Sequence, residues 1–326
     1  MALSTKVSLL AAAVGVLAAS SPLLAQSPDK YAEGDAIYAA LRQSPPDARL
    51  TIGGSEIDVL FADGAPGLDR ARVLAWVRTS ATAVSTYFGR FPAQRVGLLV
   101  VAEDDDRIRT GTTFGYAGQA IRIHVGRRAD ADTFHSDWIL VHEMTHLALP
   151  TVPRRSLWLQ EGEATYVEPI ARAQAGQLDP KEVWRWTLVG MPKGQPKSDD
   201  QGLDGTHAWG RIYWGGAAFW LQADVRIRQR THGRLSVQTA MQAINRKSGG
   251  NVADWSVDQV MAAGDAATGG TELSELYAQV KDAPDRVDLD TLFAQLGVGM
   301  QDGQVVFDDK APLAWVRRQI TAPPKA

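Results

Sequence analysis

The chain has 326 residues, 45% of them hydrophobic, a formal net charge of -3 and no cysteine. That length and apolar content allow one large or two modest domains with a sizeable core. The slight negative charge offers no basic field for nucleic acid. The missing cysteines exclude a disulfide framework, a cysteine-ligated zinc, a thiol nucleophile and a lipid anchor on an N-terminal cysteine.

Taken in chain order, Lys6 comes first, ahead of an apolar run over residues 7–19 and then Ser20-Ser21-Pro22-Leu23-Leu24-Ala25. A charged start, a short apolar stretch and a small terminal residue together read as a secretory signal peptide. Residues 1–25 are therefore expected to be removed, which puts the mature protein in the periplasm or outside the cell. The rival reading is an uncleaved membrane anchor, but the run is short for a span of about 20 residues and Pro22 interrupts it. No later segment is long and apolar enough to cross a membrane, so no stable span is expected after cleavage.

The next segment, residues 26–66, holds a predicted helix at 29–41. Residues 49–52 and 57–61 alternate around Gly53-Gly54, which predicts a hairpin. Residues 68–88 have helical spacing and end at Gly89, a C-cap. Residues 95–101 read as a buried strand and 120–125 as a second strand. From the middle of the chain to about residue 296 the pattern is mainly helical. A small hairpin is expected at 299–307, a closing helix at 313–320 and a tail at 321–326. Residues 191–204, rich in Gly, Pro, Lys and Asp, read as a surface loop, with a cover over a cleft as the alternative. Arg226, Arg228 and Arg230 read as the solvated end of a helix. His124, His135 and His232 are given no role.

The chemistry begins at His142-Glu143-Met144-Thr145-His146. On a helix the two histidines project from one face about a turn apart. Two imidazole nitrogens so placed reach one tetrahedral Zn²⁺ ion. Glu143 stands where it can take a proton from a water at the metal's open position. The run Asp137-Trp138-Ile139-Leu140-Val141 is apolar enough for a buried active-site helix, and Pro150 stops it. A zinc hydrolase wants a third protein ligand. Leu157-Trp158-Leu159-Gln160-Glu161-Gly162-Glu163-Ala164-Thr165-Tyr166 offers Glu161 and Glu163. Two apart on a helix, they point to nearly opposite sides, and periodicity does not choose between them.

The string W-L-x-E-G-x-A-x-Y after H-E-x-x-H resembles the gluzincin metallopeptidases, above all the aminopeptidase N and glycyl aminopeptidase families. The resemblance implies that Glu161, before the glycine, is the third zinc ligand. Glu163 stands where those families usually carry a large apolar residue. A second block, Ile212-Tyr213-Trp214-Gly215-Gly216 running into Ile227-Arg228-Gln229-Arg230-Thr231-His232-Gly233, looks like the glycyl aminopeptidase helix. It implies that Tyr213 donates a hydrogen bond to the oxyanion. Thermolysin-type enzymes use a histidine there, which makes His207 the reserve candidate. Strands before the motif and helices after it are the order of a thermolysin-like domain. The expectation is thus an α+β zincin catalytic domain over residues 67–320, with a small mixed sheet followed by a mainly helical lobe. The aminopeptidase G-x-M-E-N strand has no match; near its place stands Gly115-Tyr116-Ala117-Gly118-Gln119-Ala120, so aminopeptidase specificity does not carry over.

The sequence therefore predicts a zinc-dependent peptidase acting on peptide or protein substrates. Two other readings share the motif: a zinc-binding pseudopeptidase or binding module without turnover, and a zinc hydrolase of a non-peptide bond. None of these motifs bears on oligomeric state.

Overall fold

The computed structural model describes residues 30–324; the signal segment at 1–25 and the last two residues of the tail lie outside the described residues. The elements are, in order, α1 (Gly34–Gln43), β1 (Ala48–Ile52), β2 (Ser55–Phe61), α2 (Arg70–Phe88), β3 (Arg95–Glu103), β4 (Ile108–Phe114), β5 (Ala120–Gly126), α3 (Ala131–Ser136) and α4 (Ile139–Thr145). They continue with α5 (Leu157–Gln174), α6 (Pro180–Gly190), α7 (Gly216–Thr231), α8 (Val237–Ser248), α9 (Val257–Thr268), α10 (Glu272–Val280), α11 (Leu289–Leu296), β6 (Val298–Gln301), β7 (Gln304–Phe307) and α12 (Ala314–Thr321).

Five strands form one mixed sheet in the order β1-β2-β3-β5-β4. β1 and β2 are the antiparallel hairpin; Gly53 and Gly54 both take positive φ, as the tight turn requires. β2 and β5 flank β3 in parallel, and β4 closes one edge antiparallel to β5. The pairing of β2 with β3 makes the 26–66 segment and the segment after it share one sheet.

Alternation sorts the side chains of that sheet onto two faces. Val96, Leu98 and Val100 of β3 join the main core with α2, α4 and α5, while Leu99 packs with Ile37 of α1, Leu60 and Tyr31 on the other face. Tyr31 is buried in that second cluster, and the first helix of the described residues starts at Gly34; the predicted start at residue 29 lies outside them. α2 runs from an Asp69 cap to Gly89 in the left-handed conformation, close to its predicted span.

β4 and α3 were not foreseen. Two readings of surface character also change. Arg228 is buried and paired with Asp224 at 3.0 Å, which overturns the solvated reading for that residue, while Arg230 is exposed at the helix end and pairs with Glu272. The 191–204 segment is tied down: Arg211 pairs with Asp200 at 3.0 Å and donates to the Gly194 carbonyl, and Gln195 donates to the Val287 carbonyl.

Candidate metal centre

α4 is only two turns long, and its start is fixed by Asp137. That carboxylate accepts hydrogen bonds from the backbone N–H of Ile139 and Leu140 and from the Trp76 indole, each at 3.2 Å. The cap and the indole anchor the helix between α2 and the sheet. His142, Glu143 and Met144 are buried, and the chain leaves the helix at His146.

α5 crosses close to α7. A Cβ on Gly162 would overlap the backbone of Gly216, and one on Gly216 would overlap the Trp158 carbonyl. Only glycine at both places allows this approach. The crossing presents Glu161 on one side of α5 and brings the turn before α7 beside it. Arg211–Gly215 in that turn is a π-helix, an irregularity that often marks functional sites. It carries Tyr213.

The result is a cluster. Nε2 of His142 lies 3.2 Å and Nε2 of His146 lies 3.5 Å from Oε2 of Glu161. One donor atom from each residue lies within 4.8 Å of the other two. The two histidine-to-Glu161 separations fit zinc: ligand bonds of about 2.0–2.1 Å in a tetrahedron put neighbouring ligand atoms about 3.3 Å apart. The electrostatics agree. Burial pushes the Glu161 carboxyl up, but hydrogen bonds from both histidines outweigh it and hold it well below the usual carboxylate range. Burial pushes His146 down, yet its hydrogen bond to Glu161 and that carboxylate's charge raise it to about 9. Two imidazoles crowding one carboxylate create a place that demands positive charge.

Glu163 is on the far side of α5. It is fully buried, and neither carboxylate oxygen has a hydrogen-bond partner. Burial pushes its carboxyl well above the usual range, which makes it a neutral acid rather than a ligand.

Glu143 leans toward β4. Its side chain fills the space a Cβ on Gly111 would need, and the Thr113 hydroxyl lies 2.7 Å from its Oε2 and 2.8 Å from its backbone carbonyl. Gly111, Thr112, Thr113, Glu143, His146, Glu161 and Tyr213 line one cleft. Gly111 and Thr113 were missed in the sequence. The signal available was the threonine run of residues 110–113, favourable for a strand.

The Tyr213 ring stacks near His142, with centroids 6.2 Å apart, and against Trp209 at 4.8 Å. Burial and then the neighbouring Glu161 carboxylate raise the Tyr213 hydroxyl above its ordinary value, so it stays a protonated donor. His207 is exposed and does not line this cleft. His124 is buried elsewhere, 2.6 Å from Glu103.

No family model matches the chain, and no curated protein matches it in sequence. Solved structures do. An aminopeptidase N family protein from Idiomarina loihiensis shares 14% identity over 81% of this chain and 52% of its own, with a TM-score of 0.59. An M1 zinc metallopeptidase from Deinococcus radiodurans shares 14% identity over 74% of this chain and 54% of its own, with a TM-score of 0.45. The chain spans about half the length of these proteins. The first likeness shows the fold: a mixed α and β arrangement, with its five-stranded sheet and helices, similar to part of an aminopeptidase N family protein.

Proposed function

We propose that this chain is a zinc-dependent peptidase of gluzincin type, with a thermolysin-like catalytic domain over residues 67–320 whose sheet the 26–66 segment completes. The observation that carries the reading is the convergence of His142, His146 and Glu161 donor atoms within 4.8 Å, beside Glu143 and Tyr213 in one cleft. His142, His146 and Glu161 would hold the metal. A bound zinc ion supplies Lewis acidity, polarising a carbonyl and making water a stronger acid.

The chain's own groups do the rest. Glu143 accepts the proton of the attacking water and returns it to the departing amine nitrogen. Thr113 and Gly111 hold its carboxylate against β4. Tyr213 donates a hydrogen bond to the oxygen on which negative charge builds, a role for a fixed neutral donor; His207 is too exposed to be preferred for it. Among the described residues lining the cleft, Glu143 and Glu161 are the only carboxylates. Both have work in this scheme, and neither is free to pair with a substrate's amino terminus. The reading is therefore a peptidase and not specifically an aminopeptidase. Its proposed setting, periplasmic or secreted, rests on residues 1–25 alone.

Elemental analysis of purified protein tests the ligand set. One zinc per chain is expected in the wild type and in Glu163→Ala, and little in His142→Ala or Glu161→Ala. Full zinc in the His142→Ala, His146→Ala double variant contradicts the assignment.

A further inference from the structure

A second cavity, of about 320 Å³, opens beside the cluster. Its walls include Trp138, Trp184, Trp186, Trp209 and Trp214, half of the chain's ten tryptophans, with Val189 at its edge. Trp184 belongs to the main core and Trp214 packs against it, but core burial does not explain the rest of the grouping, because Trp138, Val189 and Trp209 are 47%, 49% and 63% exposed. Exposed apolar groups gathered around one opening mark a binding site. Glycine sets the shape of one wall: a Cβ on Gly190 would overlap the Trp214 indole. Trp186 lies under the Arg172 guanidinium at 5.9 Å.

His142 and Tyr213 line both this cavity and the cleft of Glu143 and Glu161. The cavity and the cleft therefore adjoin across these two side chains, close enough for one substrate to place a side chain among the tryptophans and its backbone at the catalytic cleft. We infer that this cavity is a recognition subsite for a bulky aromatic side chain, carried by a substrate residue that flanks the bond to be cut. The inference rests on the peptidase reading.

Size and chemistry choose the occupant. A cavity of about 150 Å³ holds benzene, so this one has room for an indole or a phenol. Indole walls meet a ring edge-on or in offset stacks, a geometry that aliphatic chains do not exploit. Of the ionisable groups in the lining, Glu168 is paired with Arg172 and Arg185 with Glu182, and Lys193 is exposed to solvent at the rim. Nothing in this lining offers a buried unpaired charge to select a charged side chain.

The test is digestion of a mixed peptide library by the zinc-loaded protein, with cut sites read by mass spectrometry. Phe, Tyr and Trp should be enriched at one position next to the cut, with kcat/KM about 10²-fold or more above Gly at that position. Val189→Trp narrows the mouth at an exposed site and should lower that aromatic-to-glycine ratio at least about tenfold. Cleavage without aromatic preference, or a ratio unchanged in Val189→Trp, overturns the subsite and leaves the peptidase reading standing.

Calorimetry on Glu143→Gln gives a readout free of turnover. A peptide with Trp at the preferred position should bind more tightly than its Gly counterpart, and adding Val189→Trp should abolish the difference. Equal binding of the two peptides, or tighter binding of decanoate than of the Trp peptide, overturns the aromatic assignment. If the wild type cuts no peptide, the peptidase reading fails, and binding to a set of Trp- and Gly-substituted peptides alone decides the subsite.

Discussion

Thr113 has one hydroxyl proton, and Glu143 presents two acceptors to it: a side-chain oxygen at 2.7 Å and its own carbonyl at 2.8 Å. With Glu143 ionised, the proton points to the carboxylate. With Glu143 protonated, the hydroxyl turns to the carbonyl and accepts from the acid. One side chain thus holds the proposed base in both protonation states. Thr113→Val keeps the shape and loses this bond. It should lower kcat by about tenfold or more with zinc retained, since small misplacements of a reacting group are costly. Unchanged kcat would remove Thr113 from the scheme. Tyr213→Phe deletes only a hydroxyl; kcat and kcat/KM should fall together by about 10²-fold, and by less in His207→Ala. A larger loss in His207→Ala would exchange the two roles.

At the scale of elements, the sequence was legible where signals are local. The five-residue motif predicts its own geometry because a helix turn fixes it. α2 follows from apolar spacing and Gly89, and β3 and β5 from short apolar or alternating runs. β4 was missed, despite its threonines, because it is an edge strand whose register shifts between Ile108 and Gly111, which blurs any alternation. With it went Gly111 and Thr113. Periodicity could not choose between Glu161 and Glu163, because both sides of α5 are covered, one by the site and one by the core. Nor could it reveal the burial of Arg228, since its Asp224 partner four residues away looks like an ordinary surface pair. Gly162 is the element-scale test. Its Cβ would meet the Gly216 backbone, which cannot yield as a side chain would. Gly162→Ala should therefore destabilise the fold by about 1–3 kcal/mol in urea titration and lower zinc retention together. Wild-type stability in this variant would mean that α5 and α7 are not held backbone to backbone.

Across the whole molecule, the cluster and the tryptophan cavity share the lobe built on α5, and a buried contact between Glu168 and Arg172 lies within it. Glu168 is buried and bonded to Arg172 at 3.0 Å. Burial pushes its carboxyl up to about 7, with Arg172 opposing. A carboxyl raised in this way binds its proton more tightly folded than unfolded. Its contribution to stability is full below about pH 4.5 and is lost as pH rises through about 7. Metal-free wild type should therefore lose stability relative to Glu168→Gln across that interval, read by urea denaturation at each pH. A difference independent of pH would show that Glu168 is ionised throughout.

The claim that joins these scales is that His142, His146 and Glu161 hold zinc for a reaction in which Glu143 moves the proton. Its most direct test is one cleavage assay on a mixed peptide library, run on wild type and Glu143→Gln, each stripped with a chelator and then given one equivalent of zinc. Cleavage is predicted in the zinc-restored wild type alone, with Glu143→Gln binding zinc fully yet silent. Cleavage by the stripped wild type, or by Glu143→Gln at a comparable rate, would contradict the account.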